Sequence, residues 1–238
     1  MEKIRQFTRD RFRKVAYESD GSMPVEPSSS TVLVHLMPFS AFESRDSIPI
    51  GPELLRKHAE DLRTFGSQSV STPFFNADGL CWSASDQTST AYTQLFRTGV
   101  VEGANNTFRH MIGENEYINT FMIEQEIVAW FTRSLFVFQA LEFQPSFEIA
   151  LSISNTRVLR LPDPYNVRAF SAPIARQFLE LPNVTLQDLT GLVGATRADN
   201  SAQKAIATRL KPMFDALWQS GGYAESPNYQ PDGTWTRS

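Results

Sequence analysis

The sequence predicts an α+β protein in which a largely antiparallel sheet packs against a long central helix and a C-terminal helix. Three observations carry this. Apolar residues recur at helical spacing over 2–17, 117–142 and 201–219. Runs rich in aliphatic, β-branched and aromatic residues occupy 31–37, 79–85, 90–97 and 147–161. Arg97-Thr98-Gly99 then joins two apolar runs closely enough for an antiparallel hairpin. The chain has 238 residues, 41% hydrophobic and 20% charged, and its 18 Phe and 4 Trp supply enough apolar area for a packed core.

In chain order, residues 2–17 form an amphipathic helix. Ile4, Phe7, Arg11 and Val15 follow one face, and Lys3, Arg5, Arg9, Arg13 and Lys14 occupy much of the rest. Residues 20–30, with Gly21, Pro24, Pro27 and four serines, read as a connector. The organisation is therefore a basic connector helix over 1–19 and one α+β domain over 31–238. Residues 31–37 are apolar on both faces, as a central strand requires. Pro52 opens a helix through Leu54, Leu55, His58, Leu62 and Phe65 that stops at Gly66.

If Thr98-Gly99 is a two-residue loop, Phe96 faces Val101 and Leu95 faces Glu102. The branched Cβ of Thr98 resists positive φ, so the turn type stays open. Residues 117–142 form the central helix, with Phe121, Val128, Phe131, Leu135 and Phe138 on its stripe. Glu124, Glu126 and Arg133 interrupt the apolar run and argue against a membrane span. Asn155 marks a turn between two strands of a second hairpin. The last helix starts at Ser201, buries Ile206, Leu210, Met213 and Leu217, contains Pro212, and ends at Gly221-Gly222. Tyr229 and Trp235 then dock the tail on the body.

Chemistry is sparse. A net charge of -4 gives no general attraction to nucleic acid or anionic membrane. The lone Cys81 cannot form an internal disulfide and reads as a buried, inert thiol; the charged first helix lacks the apolar run of a signal peptide, and a cytoplasmic location is expected. No phosphate-cradling glycine motif is present, and Gly191 and Gly194 read as turn glycines. His35, His58 and His110 sit in separate elements without metal-ligand spacing. Glu114, Glu116, Glu124 and Glu126 could hold Mg²⁺ for metal-dependent hydrolysis or nuclease chemistry, with His35 or His110 assisting. The plainer account places Glu114 and Glu116 at a helix start and lets Glu124 and Glu126 diverge on its surface. No catalytic residue, cofactor or metal is assigned. Clustered positive charge makes Arg5, Arg9, Arg13 and Lys14 the candidate nucleic-acid contacts.

Three stretches carry a likeness: VLVHLMPFSA (32–41), YTQLFRTGVVE (92–102) and WQSGGYAESPNYQPDGTW (218–235). Together with Arg11-Phe12-Arg13-Lys14 and Leu179-Glu180-Leu181-Pro182, they resemble the region that follows the Schlafen/AlbA-type DNA-binding domain in bacterial proteins often labelled ATP-binding or helix-turn-helix proteins. The resemblance implies a non-catalytic accessory domain that senses a partner or ligand or mediates assembly. Its partner would be an AlbA-type domain in the same longer protein or a neighbouring chain. Nucleic acid would be reached through that partner, with no membrane, and self-association is compatible with it.

Overall fold

The computed structural model describes residues 1–18, 30–43, 47–66, 72–83, 90–143, 146–166, 169–187 and 200–236. The predicted connector and the Gly191 and Gly194 turn lie outside the described residues, the first except for Ser30. Helix α1 (Glu2–Tyr17) leads to strand β1 (Val32–Pro38), a 3₁₀ turn over Phe39–Phe42, and helix α2 (Pro52–His58). Strands β2 (Thr72–Phe75), β3 (Gly79–Ser83), β4 (Ala91–Phe96) and β5 (Val101–Asn105) form a meander. A small hairpin, β6 (Arg109–Ile112) and β7 (Asn115–Ile118), precedes the long helix α3 (Thr120–Ala140). Strands β8 (Phe147–Ile153), β9 (Leu179–Glu180) and β10 (Val184–Leu186) and helix α4 (Asn200–Gln219) complete the described elements.

The main sheet runs β10-β8-β1-β5-β4-β3-β2, with β9 also on β8. Every paired strand in it is antiparallel, and β1 lies between β5 and β8. Alternation of side chains across the pleat divides β1 between two cores. Val32, Val34 and Leu36 join the core beneath α3 and α4, whereas Leu33 and Met37 join the smaller clusters that α1 closes. On the first face Trp130 of α3 donates its indole N–H to Thr93 of β4 at 3.1 Å. Phe65 packs its ring on Trp130 and Phe108. Gly103 of β5 makes room for that ring, because a Cβ there would come within 2.9 Å of Phe65.

Several sequence expectations need correction. The β4-β5 connection is a three-residue loop: Phe96 N–H donates to Val100 C=O at 2.8 Å, and Gly99 carries φ +94. Glycine supplies the positive φ that Thr98 resists. The register consequently moves by one, pairing Leu95 with Val101 and Gln94 with Glu102. Helix α2 ends at His58, short of Leu62 and Phe65, which are nonetheless buried. The central helix begins at Thr120, where the side chain of Asn119 accepts from Met122 N–H as its cap. The residues before it form the β6-β7 hairpin, so Glu114 and Glu116 lie on a turn and a strand instead of a helix start. Asn155 does turn the chain, with φ 52, but residues 157–160 form no second strand beside β8. Those positions of β8 are taken by β1, β9 and β10.

Candidate functional site

Helix α1 lies against the sheet face opposite α3, burying Ile4, Phe12, Val15 and Ala16. At the centre of that interface is a buried polar cluster. Arg11 sits in the apolar stripe because its carboxylate partner projects from β5. Its Nε meets Glu102 Oε2 at 2.8 Å and a terminal nitrogen meets Oε1 at 2.7 Å, a two-pronged contact. Tyr92 of β4 donates its hydroxyl to Oε1 at 2.7 Å, and His35 Nε2 of β1 lies 2.8 Å from Oε2. The Arg11 guanidinium also stands over the Phe96 ring at 4.9 Å, and Phe7 meets the His35 ring edge to face.

Burial by itself would raise the Glu102 carboxyl, but the charge and hydrogen bonds of Arg11, helped by His35, overcome it and hold the group below its ordinary value. Glu102 is therefore an acceptor only, and His35 Nε2 carries the proton between them. Burial and then Glu102 push the Cys81 thiol up to about 12, as suits an inert thiol. Burial, with Glu102 second, also raises the Tyr92 hydroxyl well above its ordinary value. All four lone-pair directions of Glu102 are occupied, so it can take no substrate proton without releasing Arg11, Tyr92 or His35.

A second buried carboxylate, Glu124 on α3, serves the other side. It accepts from Trp218 Nε1 of α4 at 2.6 Å, from Ser226 Oγ at 2.9 Å and from Asn228 Nδ2 at 2.7 Å. These bonds fasten the tail after α4, and Tyr229 adds a hydroxyl bond to Ala207 C=O at 2.7 Å. Trp235 is buried as well, so the predicted docking of the tail is present.

The four acidic residues considered for metal chemistry are not assembled. Glu124 faces α4 and the tail, Glu126 is half-buried on α3 within the field of Arg133, Glu116 lies 3.4 Å from Arg109 within the β6-β7 hairpin, and Glu114 is on its turn. His35 belongs to the opposite face of the sheet, and His110 stacks on Tyr117. Among the described residues, no group of three or more His, Cys, Asp or Glu side chains could hold a metal ion.

The candidate basic residues Arg5, Arg9, Arg13 and Lys14 are all exposed, and among the described residues their side chains make no hydrogen bond or ion pair. They do not form one surface. Arg5 and Arg9, one turn apart, border a cleft of about 450 Å³ between α1 and the strands β8, β9 and β10. Arg13 continues the ridge outward, while Lys14 lies about 100° further round the helix. No protein-family model, curated protein or solved structure matches the chain.

The Arg11-Glu102 clasp and the far wall of the cleft, built by Glu148, Glu180 and Thr185, are absent from the expectations drawn from sequence. A signal for the clasp exists. Arg11 interrupts an apolar helical stripe and Glu102 ends an apolar strand run, so each asks for an opposite charge in the interior. Nothing comparable announces the cleft wall, whose strands meet α1 only through the folded sheet. Among the described residues no helix is long and apolar enough to cross a membrane.

Proposed function

We propose that this chain is a non-catalytic accessory domain of an AlbA-type nucleic-acid-binding protein, supplied in the same longer protein or by a neighbouring chain. In this reading α1 is both a structural layer and a docking element. Its apolar side and Arg11 fasten it to the sheet, and its outer side offers Arg5, Arg9, Arg13 and Lys14 to the partner or the partner's nucleic acid. The observation that supports it most is that these four basic side chains are exposed and, among the described residues, unengaged, on a helix whose opposite side is buried. A further support is that Glu102 and Glu124, the carboxylates best placed for acid-base work by burial, are engaged in separate structural clusters.

The test is a salt titration of duplex DNA binding by the full assembly, comparing the natural sequence with R5Q/R9Q/R13Q/K14Q. For every phosphate that the variant no longer neutralises, the slope of log affinity against log salt should flatten by about 0.9. Equal slopes for the two assemblies would reject binding of phosphates by this helix.

A further inference from the structure

The cleft beneath α1 has walls of opposite charge. Arg5 and Arg9 stand on the helix wall beside Thr8 and Phe12. Across from them Glu180 projects from β9, and Glu148 rises from β8 with only 1% of its surface exposed. Register explains the far wall: Thr185 is paired with Glu148 and Glu180 with Ser152, so β9 and β10 place polar side chains beside those of β8. Thr185 Oγ1 donates to Glu148 Oε2 at 2.6 Å, which fixes the buried carboxylate in the wall.

Opposed guanidinium and carboxylate groups on a surface ordinarily close into ion pairs where they can reach. Here neither arginine bonds to either glutamate, and the Glu180 side chain makes no hydrogen bond or ion pair among the described residues. The charges are held apart across an open space. Inside the cleft a polyanion would be repelled by the Glu148 and Glu180 wall and a polycation by the Arg5 and Arg9 wall, whereas a molecule with a negative and a positive end satisfies both. Phe12, Ala150 and Leu181 give the cleft apolar surface between the charged walls.

We infer that this cleft is a binding site for a small zwitterion, a di- or tripeptide with free ends, whose carboxylate meets Arg5 and Arg9 and whose ammonium meets Glu180, with the buried Glu148 adding negative charge behind it. A volume of about 450 Å³ lies within the range of small-ligand sites. The site goes beyond the accessory role and shares Arg5 and Arg9 with it, whereas Arg13 and Lys14 lie outside the cleft and serve the accessory role alone.

The test is calorimetric titration of the chain with alanyl-leucine, its N-acetyl derivative, its C-terminal amide, and inorganic phosphate. Alanyl-leucine should bind with a Kd on the order of 0.1 to 1 mM, and either cap should weaken it at least about tenfold. R5Q/R9Q should weaken the free dipeptide by a similar factor and remove its advantage over the amide. E180Q should remove its advantage over the N-acetyl form. R13Q/K14Q should leave dipeptide binding unchanged, which separates this result from the nucleic-acid titration. All substituted positions are exposed, and matching thermal transitions establish that each variant is folded. Absence of binding up to about 10 mM, equal affinity for capped and uncapped dipeptides, or tighter binding of phosphate than of dipeptide would each overturn the inference.

Discussion

Glu102 and Glu124 are both fully buried, one on each face of the same sheet, yet they are held in different ways. Glu102 faces a guanidinium in a two-pronged pair, with a phenol and an imidazole completing its shell. Glu124 accepts from partners that include an indole, a hydroxyl and an amide of α4 and the tail. The first clasp holds α1 to the sheet by charge, and the second holds the tail to α3 and α4 by hydrogen bonds. Buried acids usually attract attention as catalytic candidates. Here the informative property is whether lone pairs remain available, and at Glu102 none does.

The largest difference should appear on removing each carboxylate. E102A leaves Arg11 buried without its counter-charge and should cost about 3–5 kcal/mol in urea unfolding. E124Q keeps the shape but turns an amide N–H₂ toward groups that are themselves donors, and should cost about 1–3 kcal/mol. Hydrogen exchange should then rise in the tail around Ser226 and Asn228 more than in the sheet. An E124Q protein as destabilised as E102A would erase the distinction between the clasps.

Acidity sharpens the same comparison. Glu102 is held below its ordinary value of 4.5 in the folded state. Its contribution is thus complete above about pH 4.5 and is lost as pH falls through the lowered folded value. The stability gap between the natural protein and E102Q should stay level from pH 7 to about pH 5 and narrow in stronger acid. A gap that widened on acidification would mean the carboxyl is not stabilised in its ionised form. The smallest effect belongs to the cleft: R5Q/R9Q should change stability by less than about 0.5 kcal/mol, because both side chains are exposed and make no ion pair among the described residues.

What was legible in the sequence follows how local each signal is. The stripe of Ile4, Phe7, Arg11 and Val15 placed α1, and apolar residues on both faces placed β1 at the centre. The edge strand β2 was not legible, since Pro73 within Thr72-Pro73-Phe74-Phe75 weakens a strand signal. The β6-β7 hairpin was hidden because its exposed Met111 and Ile112 and its acidic turn merge with the helical pattern that follows. Strands β9 and β10 span two and three residues and exist only because β8 offers them an edge. For the site, Arg5 and Arg9 stood out as charge on a helix, while Glu148, Glu180 and Thr185 needed the tertiary fold to meet them.

The measurement that bears most directly on α1 as a clasped layer, with its basic side left free, is a double-mutant cycle between Arg11 and Glu102. Unfolding free energies of R11M, E102Q and R11M/E102Q at neutral pH should give a coupling of about 2–3 kcal/mol, the double variant losing far less than the sum of the single losses. A coupling under about 0.5 kcal/mol would show that the pair does not fasten the helix, and would contradict the account of α1 as a fixed layer of the fold.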